Sequence, residues 1–437
     1  MEWQWVLLLF FGSFIVLFIA GIPFAFCFLI LNIGGVFLFW GGQAGLNQLA
    51  TSFFASIGTF TLVPVPLFIL MGDVMFRSKL APNMINALDK WIGRVPGRLS
   101  LLAVGGGTVF AALSGSSIAG VCLLGSTLGP EMEKKGYKKS MIFGPILGSG
   151  GLATLIPPSG LAVLLASIAE ISIARTLMAI IIPGILLAGL FAAYIILRCH
   201  FQPSLAPSYN VTPTSLREKI RLTAKYILPL SFIVFLVIGL IFLGIASPTE
   251  ASALGALGTF ALTAVYKQLN WKMVKESISS TVEITVMVFM IILGAKVFAQ
   301  ILAFTGVSQG MVRAALGLSV HPIFIIIIMQ VVVLFLGAFM EVVSIMMLTM
   351  PIFIPVVLRL NFDPVWFATI IMVNVEVAMI SPPFGTSLFA MKGVASPDTT
   401  MGDIWMASFP FMGLFIIAMG LIMVFPQLAL WLPGITG

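Results

Sequence analysis

Apolar residues follow one another along this chain in long runs, without the strict alternation that marks half-buried strands. A helix that crosses the hydrocarbon layer of a membrane needs roughly 20 such residues, whereas the strands of a membrane barrel appear as alternating segments of about ten. The pattern therefore predicts membrane-spanning helices, with room for about ten crossings and some shorter re-entrant segments. The runs that carry almost no charge are 4–20, 22–41, 51–76, 176–197, 226–246, 322–358 and 405–432.

Composition argues against a soluble protein. Of the 437 residues, 60% are hydrophobic and 8% are charged, whereas soluble domains carry about 25% charged residues. The net charge of +7 comes mostly from basic residues in short loops, which orient a protein in lipid. No block of like charges predicts binding to nucleic acid. Cys27, Cys122 and Cys199 are scattered and form neither a disulfide framework nor a metal motif.

Basic segments predict which loops face the cytoplasm, where Lys and Arg are enriched. Residues 99–133 lie between two of these segments, so both ends of this stretch are expected on the same side. Its centre, Ser114–Ser117, consists of small residues, and its arms of about 15 residues are too short for two full crossings. The stretch is therefore predicted to form a re-entrant hairpin, named hairpin 1. The basic segments are 77–98, 134–139, 217–225 and 267–275.

A second hairpin, named hairpin 2, is predicted at residues 321–360, with a soft centre at Gly337–Glu341. Few charges flank it, as expected at the outer face of a membrane. Counting crossings from the basic loop near Lys139 also places its ends outside. The two hairpins are therefore predicted to enter the membrane from opposite sides.

A helix interrupted by paired prolines follows each hairpin. The first, at about 138–170, contains Pro157-Pro158, and the second, at about 363–392, contains Pro382-Pro383. The order of elements is the same in both halves, which predicts an all-α fold with inverted repeats; two unrelated proline kinks are the alternative. The predicted units are a first half at 1–200, a cytoplasmic linker at 201–225 and a second half at 226–437.

Broken helices supply main-chain atoms for binding. In hydrocarbon, irregular backbone is tolerated only where protein or water covers it, and each proline removes an N–H and frees a carbonyl one turn earlier. The carbonyls before Pro157 and Pro382 are therefore candidate ligands for a hard cation such as Na+. The half-helices that start near Gly160 and Gly385 present N–H groups and a positive dipole end, which favour an anion. This pattern is typical of secondary transporters with inverted repeats.

Several polar residues near these elements have two interpretations each. The serines at the tip of hairpin 1 either contribute to a binding site or allow helices to approach closely. Glu341, at the tip of hairpin 2, either binds a cation or pairs with a basic residue or a water pocket. Asn374 aligns with Ser149 when the halves are superposed, and both are predicted to be site residues. The roles of Glu376 and Lys296 stay open.

ATP-driven and catalytic chemistry is not predicted. The chain has no G-x-x-x-x-G-K-[ST] phosphate loop and no H-E-x-x-H motif, and its two histidines, His200 and His321, do not indicate a catalytic centre. We therefore expect no enzyme activity and no cofactor. A stand-alone ion-coupled carboxylate or Na+/H+ carrier and a channel are the alternatives to a multi-subunit transporter, with an intramembrane hydrolase as a distant one.

Four stretches resemble the large membrane subunit of tripartite ATP-independent periplasmic (TRAP) transporters. They are VPLFILMG at 65–72, SGSSIA at 114–119, LIPPS at 155–159 and GIASPTEA at 244–251. The resemblance implies an elevator-type transporter in the bacterial inner membrane, in which a Na+ gradient drives import of an organic anion, a carboxylate or a sugar acid. It also implies two partners, a small four-helix membrane subunit and a periplasmic substrate-binding protein.

By position, the resemblance places Na+ ligands at the hairpin tips and the Pro-Pro breaks. The implied Na+ ligands are Ser114, Gly115, Ser116, Ser117, Ile156, Pro157, Gly337, Glu341, Ser381 and Pro382. The substrate contacts predicted from the half-helix starts and the aligned pair are Ser149, Ser159, Gly160, Asn374, Gly385, Thr386 and Ser387. The chain departs from the family where Glu341 replaces a frequent Asp and where Thr386-Ser387 replaces Leu-Asn. Glu250 is expected to be structural, as the cap of a helix or a scaffold contact.

Overall fold

Helices form all the regular secondary structure that is described for this chain, which confirms the predicted all-α fold. Lys79 and Arg94 of the basic segments, and the side chain of Ser114, lie outside the described residues. For residues 111–114 only the backbone is described. The computed structural model otherwise describes residues 2–78, 80–93, 95–207 and 214–435.

Helices α1 to α11 belong to the first half of the chain. The apolar run 51–76 is divided between α3 and α4, because the backbone leaves the helix at Gly58 and a new one starts at Pro64. The bounds are α1 (Trp3–Ile19), α2 (Phe24–Phe39), α3 (Gln43–Ile57), α4 (Pro64–Arg77), α5 (Leu80–Asp89), α6 (Arg98–Ser114), α7 (Ser117–Lys134), α8 (Lys139–Gly151), α9 (Gly160–Ile168), α10 (Ile173–Ala179) and α11 (Ile181–Phe201).

Helices α12 to α22 belong to the second half. A π-helical turn, Thr223–Ile227, joins α12 to α13, so helix already begins inside the segment 201–225. The bounds are α12 (Leu216–Leu222), α13 (Leu228–Phe242), α14 (Pro248–Val265), α15 (Trp271–Phe304), α16 (Val307–Gly317), α17 (Pro322–Gly337), α18 (Val342–Arg359), α19 (Pro364–Met379), α20 (Thr386–Val394), α21 (Met401–Val424) and α22 (Gln427–Ile435).

Six helical stretches among the described residues are long and apolar enough to cross a membrane. Large apolar side chains such as Phe54, Phe235 and Leu257 are exposed on the outside of the fold, where a soluble protein would place polar groups. Both features are those of a multi-pass membrane protein. The six stretches are Phe60–Arg77, Ile173–Phe201, Leu216–Phe242, Trp271–Phe304, Val342–Arg359 and Met401–Val424.

Two helical hairpins stand out from the other helices. In the first, α6 and α7 pack against each other and are joined by Gly115 and Ser116 alone. Gly115 has φ +58°, in the left-handed region that glycine adopts without steric cost. In the second, α17 and α18 pack together and are joined by residues 338–341.

Two interrupted helices follow the hairpins. After α8 the chain forms a 3-10 turn, Leu152–Thr154, passes through Pro157-Pro158 and resumes as α9. After α19 it passes through Pro382-Pro383 and resumes as α20. The Pro-Pro peptide bond is cis in both places.

The longer parts of both interrupted helices lie in the protein interior. The side chains of α8 are buried from Met141 onward, and those of α19 are buried from Val365 to Met379. Helix α8 packs closely against α21 at Gly148, where an added Cβ atom would come within 2.4 Å of the Phe411 ring. One continuous core therefore holds both breaks in place.

Helix α14 begins with a capping box. The Ser247 hydroxyl accepts from the Glu250 N–H at 3.3 Å, and the Glu250 carboxylate accepts from the Ser247 N–H at 2.8 Å. Two N–H groups at the helix start are satisfied in this way. The structural role predicted for Glu250 is confirmed.

Candidate functional site

The tip of hairpin 1 lies against the first Pro-Pro break. A Cβ atom added at Gly115 would lie 3.6 Å from the Gly160 nitrogen and 3.7 Å from the Pro158 carbonyl oxygen. Ser116 caps α7, its hydroxyl accepting from the Ala119 N–H at 3.3 Å. The predicted residues Gly115, Ser116 and Gly160 are therefore close to one another and to a main-chain oxygen of the break.

The tip of hairpin 2 lies against the second break. A Cβ atom added at Gly337 would lie 2.1 Å from the Cβ of Ala378, so the approach of the two backbones requires glycine. The rings of Phe339 and Phe384 lie 6.1 Å apart between centroids. Glu341 occupies the N-cap position of α18, and its side chain is exposed.

A hydrogen bond between two buried side chains joins the two halves of the chain. The Ser117 Oγ donates to the Glu376 carboxyl group, whose oxygens Oε1 and Oε2 lie 2.9 and 3.0 Å away. Glu376 is 0% exposed, and the Thr154 side chain also forms a hydrogen bond with it. A Cβ atom at Gly151 would lie 2.9 Å from its Oε2. The tip of hairpin 1 and both interrupted helices thus meet at one carboxyl group.

Ser149 and Asn374, the aligned pair of predicted substrate contacts, each face a hairpin arm of their own half. The Ser149 hydroxyl donates to the Ile146 carbonyl of its own helix at 3.0 Å, and a Cβ atom at Gly107 of α6 would lie 2.5 Å from the Ser149 Cβ. The Asn374 Nδ2 donates to the Gln330 carbonyl at 2.8 Å and to the Gln330 Oε1 at 2.9 Å. The Asn374 Oδ1 is buried without a partner among the described residues, so it has acceptor capacity left.

The half-helices α9 and α20 begin differently. Ser159 is buried and caps α9, accepting from the Ala162 N–H at 3.3 Å. Helix α20 begins without a side-chain cap; there Gly385 and Ser387 are buried and Thr386 is exposed. The start of α20 is therefore the one whose N–H groups and side chains are available to a ligand.

The two Pro-Pro breaks also differ in access. Pro157 is buried, and Ile156 before it is half-buried. Ser381 and Pro382 are half-buried, and Pro383 is exposed. In this conformation the second break is the more open of the two.

A cavity of about 740 Å³ lies between helices α15 and α16 on one side and the end of α9 and α18 on the other. Three basic side chains line it, Lys296, Arg313 and Arg359, together with one carboxylate, Glu170. The Lys296 Nζ lies 3.7 Å from the Glu170 Oε1, and Arg313 and Arg359 are exposed. The excess of positive charge suits an anion. The lining does not include the Pro-Pro breaks, so the cavity is a separate region from the contacts described above.

Several residues of these regions were not among the predicted site residues. Thr154 and Gln330 are polar residues within apolar segments, and that signal alone could have identified them. Arg313 lies in the middle of α16 and Arg359 at the end of α18, and nothing in the sequence places them beside Lys296.

Comparison with known families decides the class of this protein. The sequence profile of the family described as tripartite ATP-independent periplasmic transporter, DctM component, matches residues 11–428. The chain belongs to this family. The resemblance to TRAP transporter large subunits is therefore confirmed.

Relatives in the family match nearly the whole chain. It is 31% identical over 450 residues to the C4-dicarboxylate TRAP transporter large permease protein DctM of Rhodobacter capsulatus. This alignment covers 98% of this chain and 99% of that protein. It is 30% identical over 389 residues to the isethionate TRAP transporter permease protein DctMQ of Oleidesulfovibrio alaskensis, covering 88% of this chain and 60% of that protein. The chain is accordingly a transporter permease.

The fold is shared with a solved membrane transporter. The YdaH transporter of Alcanivorax borkumensis superposes with a TM-score of 0.64 and covers 97% of this chain and 98% of its own. Only 16% of the aligned residues are identical, so the likeness concerns the fold alone.

Proposed function

We propose that this chain is the permease subunit of a Na+-coupled importer that moves a small organic anion across the bacterial inner membrane by an elevator movement. The observation that carries the proposal is the position of each hairpin tip on the Pro-Pro break of its own half, with Ser117 and Glu376 joining the halves. Interrupted helices that meet inside a membrane are the usual binding elements of secondary transporters.

Oxygen atoms at the two tips support Na+ as the coupling ion. The Pro158 carbonyl faces Gly115 at the first tip, and the hydroxyl oxygen of Ser116 is on the next residue. At the second tip the exposed Glu341 adds a negative charge. Hard cations prefer carbonyl, hydroxyl and carboxylate oxygens, so we assign one Na+ site to each tip.

An organic anion as the substrate is supported by charge. Lys296, Arg313 and Arg359 give the cavity between α15, α16 and α18 a net positive charge, which attracts anions and raises their local concentration. The relatives named for C4-dicarboxylate and isethionate carry substrates of this class. Thr386 at the uncapped start of α20 and the free Asn374 Oδ1 are the groups we expect to contact the bound substrate.

Two partners complete the proposed transporter, a small four-helix membrane subunit and a periplasmic substrate-binding protein. The family is tripartite by description, and this chain matches its DctM component. The relative named DctMQ is longer than the region that matches this chain, which supports a second membrane component.

The test is uptake into proteoliposomes that contain the chain and the proposed small membrane subunit. Labelled organic anions are offered with the proposed binding protein, with and without an inward Na+ gradient. We expect uptake only when both the gradient and the binding protein are present. Uptake without the binding protein would instead support a stand-alone carrier, and single-channel currents would support a channel.

Two variants test the assigned Na+ sites in the same assay. The double substitution Ser116→Ala with Ser117→Ala, and separately Glu341→Ala, should abolish uptake while the purified protein stays monodisperse. Glu218→Gln, at an exposed carboxyl on α12, is the matched control and should transport normally. Full uptake by both site variants would refute the assignments.

A further inference from the structure

The basic cavity between α15, α16 and α18 is elongated. The α18 residues that line it are spaced by three or four positions, so they form one face of that helix. From Met347 to Arg359 this face spans about 18 Å at a rise of 1.5 Å per residue. The cavity is therefore a groove along α18, named the α18 groove. The residues of this face are Met347, Met350, Pro351, Ile354, Pro355 and Arg359.

Two arginines of the α18 groove are available to a ligand. Arg359 ends the α18 face and Arg313 lies on α16, and both residues are exposed. Among the residues that the structure describes, neither forms an ion pair with a carboxylate. Lys296 has a long contact of 3.7 Å with the exposed Glu170, and exposed pairs contribute little. The groove therefore offers uncompensated positive charge, and guanidinium groups match the geometry of carboxylate and phosphate groups.

Apolar side chains line the groove beside these charges. Leu316 lies about one turn after Arg313 on α16 and is 51% exposed. Pro355 lies about one turn before Arg359 on α18, and Pro351 lies about one turn before Pro355. Both prolines are half-buried. Each arginine thus has accessible apolar surface beside it on its own helix, within the same groove.

An amphipathic anion matches both parts of this lining. A small inorganic anion would neutralise the arginines but leave Leu316 and the two prolines in contact with water. An uncharged chain would cover the apolar surface but leave the arginines without a partner. A molecule with an acidic head and an apolar chain does both, and the removal of apolar surface from water is favourable in proportion to its area.

The groove separates two groups of helices. On one side, α15 packs against α2, α3 and α4, and α16 packs against α1 and α15. On the other side, α18 packs against α17, α19 and α9, which belong to hairpin 2 and the two interrupted helices. A molecule in the groove contacts both groups. In the proposed elevator movement the second group slides past the first, so a bound molecule opposes that movement.

We propose that the α18 groove binds an amphipathic anion and that the bound molecule inhibits transport by holding hairpin 2 against α15 and α16. Its acidic head binds Arg313 and Arg359. Its apolar chain lies along Leu316, Pro351 and Pro355. A free organic acid and an anionic phospholipid share this chemistry. The inhibition rests on the proposed function, whereas the site is separate from the proposed Na+ sites and from the substrate contacts on α19 and α20.

Binding of a free acid is measured in phosphatidylcholine nanodiscs without Na+. Octanoate and acetate are the probes, because they share one head group and differ in chain length. Isothermal titration calorimetry should show that octanoate binds about tenfold more tightly than acetate, or better. The double variant Arg313→Gln with Arg359→Gln should lower the octanoate affinity by about tenfold or more. The matched control, Arg217→Gln with Arg221→Gln on the exposed α12, should bind octanoate as the wild type does.

Binding of a phospholipid is measured by native mass spectrometry after reconstitution with phosphatidylglycerol. The wild type and the α12 control should retain a phosphatidylglycerol molecule that the double arginine variant loses. Such retention identifies a phospholipid as the source, whereas octanoate binding alone identifies a free acid. Ala303→Trp fills the groove from an exposed position without removing charge, and it should lose octanoate binding and lipid retention. This variant serves if the double arginine variant does not fold.

Uptake into proteoliposomes then tests the inhibition. The ligand that binds, phosphatidylglycerol or octanoate, should slow wild-type uptake, and the double arginine variant should lose this response relative to its own uptake. Octanoate binding and lipid retention that stay unchanged in both groove variants would overturn the site. Wild-type uptake that does not respond to a bound ligand would overturn its inhibitory role. Loss of Na+ dependence in the wild type would refute the proposed function and leave the binding results unaffected.

Discussion

Replacement of Ser117 by alanine removes the hydroxyl that links the tip of hairpin 1 to the second interrupted helix. The Ser117 Oγ lies 2.9 and 3.0 Å from the two carboxyl oxygens of Glu376, and both residues are buried. Water cannot take the place of the lost donor without opening the packing around it. A buried polar group left without its partner costs about 1–3 kcal/mol. We expect Ser117→Ala to lower the free energy of unfolding by this amount.

Ser126→Ala is a matched control on the same helix. The Ser126 hydroxyl is exposed and donates only to carbonyls of its own helix, Cys122 at 2.7 Å and Leu123 at 3.1 Å. Both substitutions remove one hydroxyl group from α7, that of Ser117 at its first residue and that of Ser126 in its interior. The difference between the two variants therefore isolates the bond to Glu376. A difference of about 1–3 kcal/mol corresponds to about a 5- to 150-fold change in the equilibrium.

The assay is thermal unfolding of the purified protein in lipid nanodiscs. The measured quantity is the fraction of protein that stays monodisperse after heating to each temperature. Ser117→Ala should unfold at a lower temperature than the wild type, and Ser126→Ala should not. Combined with Glu376→Gln, the Ser117→Ala substitution should cost a different amount than it does alone, because the two residues share one interaction. Equal unfolding temperatures for Ser117→Ala and Ser126→Ala would refute the interaction across the two halves.

Two further predictions concern hairpin 2 and the basic cavity. Gly337→Ala should abolish uptake, because the new Cβ would lie 2.1 Å from that of Ala378 and would push the tip of hairpin 2 away from the second Pro-Pro break. Gly413→Ala is the control and should keep uptake, because its Cβ meets nothing within 4 Å. Lys296→Met should raise the substrate concentration for half-maximal uptake by removing a positive charge from the cavity, whereas Lys272→Met, on the exposed start of α15, should not. Normal uptake by Gly337→Ala, or the same response from both lysine variants, would contradict these assignments.

Much of the helical architecture is predictable from the sequence because its causes are local. Long uninterrupted apolar runs favour burial in a membrane. The paired prolines Pro157-Pro158 and Pro382-Pro383 interrupt a helix because they remove two N–H donors in succession. The division of the run 405–432 into α21 and α22 has the same kind of cause, since α21 ends at Val424 and Pro426 stands directly before the first residue of α22. Hydropathy alone does not reveal this division, because the residues on both sides are equally apolar.

The contacts of the candidate site are less predictable because they join distant parts of the chain. Ser117 and Glu376 are 259 positions apart, and Asn374 reaches Gln330 across 44 positions. Aligning the two halves identified Ser149 and Asn374 as equivalent, but an alignment does not reveal which neighbour each side chain meets. Ser149 bonds within its own helix, whereas Asn374 bonds to a hairpin arm.

The two glutamates illustrate how position decides the chemistry of one residue type. Glu341 is exposed at the tip of hairpin 2, where ions from water can approach it. Glu376 is enclosed by Ser117, Thr154 and Gly151, and the space beside it is so restricted that even a methyl group at Gly151 would collide with its Oε2. A charge placed in hydrocarbon must be compensated by an ion or by hydrogen bonds. The open position of Glu341 leaves room for an ion to approach, whereas Glu376 depends on the hydroxyl groups that enclose it.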